Sequence, residues 1–132
     1  MNIKYENTGN KKTVKPNEPL ISIDNLEVKF INQDATIHAV NGVNIKLDKG
    51  KVLTILGESG SGKSVTMRSI LRLLPPKASL SGSIIVDGKN IIDMSQDQLS
   101  NMRGREVSMI FQEPMVAFDP VYKVGAQIAE TV

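Results

Sequence analysis

The chain has 132 residues, 40% of them apolar and 23% charged, with a formal net charge of +2. That is enough for one ordinary domain with a core, and too little net charge to point to nucleic acid. With no cysteine and 4% aromatics, disulfides, thiolate metal sites, a thiol nucleophile and a base-stacking surface are excluded, and no apolar run approaches a bilayer-spanning length. Residues 1–19 form a polar tail, with Lys4, Lys11, Lys12 and Lys15 set against Glu6 and Glu18. This composition predicts a disordered or loosely docked arm and lacks the apolar stretch of a signal peptide, so a soluble chain that is not itself exported is expected. Over residues 20–30, Ile21 and Ile23 alternate with polar residues, and so do Leu26, Val28 and Phe30, with a phase slip near Asn25. That pattern predicts a half-buried, bulged strand. After a turn at residues 32–35, Val43, Ile45 and Leu47 predict a second strand, closed by a turn at Asp48-Lys49-Gly50.

Residues 52–56 are a nearly continuous apolar run, which predicts a strand covered on both faces. A glycine-rich loop follows, and then Met67, Ile70, Leu71 and Leu74 recur at helical spacing until Pro75-Pro76 stops the helix. Leu80-Ser81-Gly82-Ser83 reads as a loop before a hairpin of residues 83–86 and 89–92, with Asp87-Gly88 as its turn. Residues 95–102 predict a short helix with Ser95 as N-cap and Gln98 in capping-box position. Residues 107–111 predict another buried strand. Asp119-Pro120 predicts the start of a last helix, whose apolar stripe is Val121, Val124, Ile128 and Val132.

Gly57-Glu58-Ser59-Gly60-Ser61-Gly62-Lys63-Ser64 satisfies the phosphate-loop pattern G-x-x-x-x-G-K-[ST], with a predicted strand before it and a helix after it. The chemistry requires these residue types. Glycines let backbone N–H groups converge on phosphate oxygens. The helix N-terminus adds unpaired N–H groups and the positive end of its dipole. Lys63 supplies a point charge for the β- and γ-phosphates, and the Ser64 hydroxyl can ligate Mg2+. Val65 completes the ATP phosphate-binding segment. The reading is therefore an α/β P-loop NTPase fold with ATP and Mg2+ as cofactors.

Three stretches narrow the class: the phosphate loop, Met102-Arg103-Gly104-Arg105, and Met109-Ile110-Phe111-Gln112-Glu113-Pro114-Met115. The last is continued by Asp119-Pro120-Val121 and by residues 124–130. Together they resemble the nucleotide-binding domain of ABC transporters, in particular the importer subfamily for oligopeptides, dipeptides and nickel. The resemblance covers roughly residues 19–132 and implies an incomplete ABC ATPase domain over residues 20–132: an antiparallel β-subdomain, a P-loop core and the start of a helical subdomain. It implies that Gln112 ligates Mg2+ and senses the γ-phosphate, and that Phe30 stacks on adenine. It implies work at the cytoplasmic face of the membrane, with integral membrane permease subunits, a second ATPase subunit in a homo- or heterodimer and, indirectly, an extracytoplasmic solute-binding protein as partners, and no nucleic acid.

The sequence also departs from that family. No Leu-Ser-Gly-Gly-Gln signature, no strand ending in Asp-Glu and no switch histidine is present; His38 precedes the phosphate loop, and Glu58 and Glu113 do not stand where a water-activating glutamate belongs. ATP hydrolysis is thus expected of a full-length protein and not of these 132 residues. Two readings stay open: part of a transport ATPase, or a short nucleotide-binding module that does not hydrolyse. An ABC ATPase acting on nucleic acid would need basic or zinc-binding insertions, and none is seen.

Overall fold

Ile21 and Ile23 occupy odd positions and Leu26, Val28 and Phe30 even ones, so one regular strand cannot bury both sets. The structure, a computed structural model that describes residues 18–33, 35–112 and 118–130, meets this with a bulge. In β1 (Ile21–Ile31) Asn25 has a φ of +47°, and the register against β2 (Thr36–Leu47) shifts between Ile23 and Leu26. The extra residue returns Leu26 and Val28 to the buried face with Ile23, and all three are fully buried. The Asn25 N–H donates to Asn44 Oδ1 at 2.9 Å, and Asn44 Nδ2 donates to the Gly42 carbonyl at 3.2 Å, so β2 holds the bulge in place.

β3 (Ala78–Val86) pairs with the other edge of β1 and sets Ile84 opposite Ile23. β4 (Lys89–Asn90) follows the Asp87-Gly88 turn, both of whose residues have positive φ, as a type I′ hairpin requires. The sheet order is β2-β1-β3-β4, and all its pairings are antiparallel. Two expectations change here. The predicted loop at Leu80-Ser81-Gly82-Ser83 lies inside β3, because β1 pairs with it as far as Phe30 opposite Ala78. The hairpin's second strand ends at Asn90 rather than residue 92. Gly82 explains itself against the bulge: a Cβ there would lie 2.3 Å from the Asn25 backbone oxygen, and its φ is +93°.

α1 (Lys63–Ile70) stops well before Pro75-Pro76. Arg72 adopts a φ of +49°; its N–H donates to the Ser69 carbonyl, and the Leu73 N–H donates to the Arg68 carbonyl. This is a Schellman ending, built on an arginine where glycine is usual. The Arg72 guanidinium in turn donates to the Met94 carbonyl at 2.7 Å and the Ile92 carbonyl at 3.4 Å. That tether to the segment after β4 offsets part of the left-handed backbone cost. α2 (Gln96–Met102) begins with the predicted capping box: Ser95 Oγ accepts from the Gln98 N–H at 3.3 Å, and Gln98 Oε1 accepts from the Ser95 N–H at 2.8 Å.

The two predicted buried strands at residues 52–56 and 107–111 are not strands. Among the described residues no segment forms a ladder with either, apart from a single bridge between Arg103 and Val107. A strand exists only where its N–H and C=O groups find partners, and without them these apolar runs stay open to solvent. Val52 is 94% exposed, Leu56 87% and Ile110 93%. The last helix also begins later than expected. Asp119 Oδ1 accepts from the Val121 N–H at 2.9 Å, closing a separate turn, and α3 (Val124–Ala129) starts after it. Residues 1–17 of the polar tail, Asp34 of the predicted turn, Glu113, Pro114 and Met115 of the third stretch, and Val132 of the apolar stripe lie outside the described residues.

The chain divides into two units, Met1–Leu99 and Ser100–Val132, with α2 spanning the junction. The first holds the sheet, the glycine-rich loop and α1; the second holds Gln112 and α3. Gly82→Ala is expected to lower the unfolding free energy in urea by about 2–4 kcal/mol, because both its torsion and its space forbid a side chain. Gly88→Ala, with positive φ but open space around it, should cost about 1 kcal/mol in the same measurement.

Candidate functional site

The glycine-rich loop gets its shape from close approaches to its neighbours. Gly62 is the N-cap of α1, in left-handed conformation at φ 89°. A Cβ at Gly62 would sit 2.5 Å from the Ala39 carbonyl oxygen and 3.4 Å from Val40 Cγ2, so the loop lies directly against β2. Gly57 faces inward over the loop, where a Cβ would come within 2.8 Å of Ser61 Oγ. Gly60 has open space around it and is required for its φ of +80° alone.

α1 begins with no acidic residue in its first turn and no side-chain cap. Its first N–H groups therefore have no side chain of their own to meet, and the positive end of the helix dipole is uncompensated. The polar residues on its buried side are satisfied within the helix. Thr66 Oγ1 donates to the Gly62 carbonyl at 3.0 Å, and Ser69 Oγ donates to the Val65 carbonyl at 2.7 Å. They consume carbonyls, not the N–H groups at the start. Glu58 and Ser59 are exposed in the loop, as is Ser64 on the first turn, while Val65 is half-buried.

Lys63 turns back over the loop. Its Nζ donates to the Gly57 carbonyl at 2.7 Å, to the Glu58 carbonyl, and to Ser61 Oγ at 3.2 Å. Beside it, a cleft of about 240 Å³ runs between the loop and the Val43 and Ile45 side of β2. The arrangement suits a polyphosphate: a cradle that side chains would fill, an open helix N-terminus and one ammonium within reach of the loop. Ser64 offers a hydroxyl on the first turn of α1, and no group of three or more His, Asp or Glu residues that could hold a metal occurs among the described residues.

Phe30 is half-buried near the end of β1 and lines a different cavity, about 510 Å³, with Ile37, Pro75, Pro76 and Lys77. No residue of the glycine-rich loop lines it. Gln112 is exposed and belongs to the second unit. Sequence reasoning missed three contacts. Ser61 holds Lys63, Arg72 ends α1, and Gln127 binds the turn before α3 on both sides: its Oε1 accepts from the Asp119 N–H at 2.9 Å and its Nε2 donates to the Asp119 carbonyl at 3.0 Å. Only the Asp119–Gln127 pairing left any trace in the sequence, an Asx turn followed by a long amide side chain.

The sequence pattern that defines the ABC transporter family matches residues 40–129, from the part of β2 under the loop through the whole of α3. The chain belongs to the ABC transporter family. The ABC-type P-loop fold read from the sequence is therefore the fold of this chain, in the portion present. It is 43% identical over 115 residues to the oligopeptide transport ATP-binding protein OppD of Bacillus subtilis (strain 168), covering 86% of this chain and 32% of that protein. It is 42% identical over 117 residues to the dipeptide transport ATP-binding protein DppD of the same organism, covering 87% and 35% respectively. Among solved structures, a bacterial Atm1-family ABC exporter with ATP bound is similar with a TM-score of 0.48 and 29% identity, over 69% of this chain and 15% of that one. The chain thus spans about a third of the length of the curated relatives it matches. No helix among the described residues is long and apolar enough to cross a membrane.

Gly62→Ala is expected to lower the melting temperature by more than about 5 °C, because its Cβ would meet backbone of β2 rather than a movable side chain. Gly60→Ala should lower it by less than half as much, since only its torsion objects.

Proposed function

We propose that this chain is the ATP-binding portion of an ABC importer subunit for peptides or a related solute. One observation carries the reading: a family match that includes a glycine-rich loop whose Lys63 and open α1 N-terminus converge on one place. The names of the relatives at 42–43% identity supply the peptide cargo.

On this reading the backbone of residues 57–65 wraps the phosphates, and the N–H groups at the start of α1 meet their charge. Lys63 exchanges its loop carbonyls for phosphate oxygens. Ser64 would hold Mg2+ through its hydroxyl, and the role we assign to Gln112 is likewise that of a Mg2+ ligand through its side-chain oxygen. The magnesium ion, when bound, neutralises charge on the β- and γ-phosphate oxygens. Phe30 offers a ring face for adenine at the end of β1. The full-length protein hydrolyses ATP as one of a pair of such subunits at the cytoplasmic face of the membrane. Permease subunits take up the closure, and an extracytoplasmic solute-binding protein delivers the cargo. Because the 132 residues contain no apolar run ending in Asp-Glu, they hold nucleotide without turning it over.

Titration of MgATP into the purified chain should show binding, and Lys63→Ala should weaken it by roughly tenfold to a hundredfold, the worth of a hydrogen bond to a charged group. Phosphate release should stay at background in both proteins. Lysine-independent binding would contradict the phosphate-loop reading, and steady release abolished by Lys63→Ala would contradict the absence of turnover.

A further inference from the structure

We propose that Ser61 is a positioning residue: it holds the Lys63 ammonium against the loop's own acceptors and so sets how tightly the loop takes a polyphosphate. The proposal rests on the phosphate-binding reading above and concerns how that site is regulated from within. An ammonium has three N–H donors, and the loop supplies three acceptors for them: the Gly57 carbonyl, the Glu58 carbonyl and Ser61 Oγ. Every donor is therefore spent on the loop itself, and each contact Lys63 makes to a phosphate oxygen must break one of these. Two of the acceptors are backbone and no substitution removes them. Ser61 Oγ is the one that the sequence can adjust.

The packing places that hydroxyl where it can act. A Cβ on Gly57 would come within 2.8 Å of Ser61 Oγ and 3.8 Å of Lys63 Cδ, so both side chains lie across the bare Gly57 backbone. The Ser61 N–H also closes the loop on the Glu58 carbonyl at 3.3 Å. Lysine, serine and two carbonyls thus form a closed ring in the loop. A ligand must open that ring, and the free energy of opening is subtracted from its affinity. Removing the Ser61 hydroxyl weakens this ring while leaving the backbone N–H groups and Lys63 that would meet the phosphates.

The test uses the whole chain and the variants Ser61→Ala and Ser61→Thr. Amine labelling of the nucleotide-free proteins is followed at Lys63 by mass spectrometry, with exposed Lys51 as the internal standard. Tripolyphosphate and ATP are then titrated into each. Ser61→Ala should label about threefold faster at Lys63 and bind both ligands roughly threefold to tenfold more tightly, a range discounted for the exposed setting. Ser61→Thr keeps the hydroxyl and should match the wild type in both measurements, which a merely structural role for Ser61 does not require. Ser61→Gly removes the same oxygen and is read instead if Ser61→Ala lacks the wild-type circular dichroism. Wild-type binding with labelling that ignores the Ser61 hydroxyl, or weaker binding by Ser61→Ala, overturns the proposal and leaves the phosphate reading standing. Hydroxyl-dependent labelling with no binding by any of the proteins overturns the phosphate reading, and the claim about affinity falls with it.

Discussion

The glycine-rich loop owes its place to one close contact, the bare backbone of Gly62 against the Ala39 carbonyl of β2. A methyl group there would overlap the carbonyl at 2.5 Å, so the approach is open to glycine alone. The contact fixes where α1 begins, and the start of α1 fixes where its free N–H groups and Lys63 can act. β2 is in turn held to β1 by the Asn25 bulge and the Asn44 amide, and β1 to β3 through the bare Gly82. Three sites that exclude or bridge side chains thus connect the sheet to the phosphate loop in sequence. Fully buried Ile23, Leu26 and Ile84 supply the apolar stabilisation between them, on the order of 1.5–3 kcal/mol each.

Much of this could be read from local sequence, because local rules set it. The phase slip at Asn25 announced the bulge, Asp87-Gly88 the hairpin turn, and Ser95 with Gln98 the capping box. The phosphate loop carries its own pattern. What could not be read depends on partners distant in sequence. β3 extends back through Ser79, Ser81 and Gly82, a run that looks like a loop until β1 lies beside it. Arg72 ends α1 in a conformation usually given to glycine, and the reason is two carbonyls about twenty residues downstream. The runs at 52–56 and 107–111 failed in the opposite sense. Their composition suits a strand buried on both faces, but composition cannot provide a neighbour.

Those two runs bear on how the loop works in this chain. Residues 52–56 lead into the loop without a ladder, so the loop is held from the β2 and α1 side and not by a strand running up to it. The loop rests on β2 through Gly62, and Lys63 donates to acceptors of the loop itself, the Gly57 carbonyl and Ser61 Oγ. A loop built this way can offer an anion backbone N–H groups and one ammonium. The match to the ABC transporter family includes this loop, and the chain spans about a third of the length of the curated relatives it matches.

Amide hydrogen exchange on the whole chain, with and without MgATP, tests most directly the claim that β2 and α1 hold the glycine-rich loop without a strand at residues 52–56. The account predicts slow exchange across β1 and β3, nearly unprotected exchange at residues 52–56 in both conditions, and new protection at residues 60–65 when MgATP is added. Protection of residues 52–56 equal to that of β1, or no change at residues 60–65 with nucleotide, would contradict it.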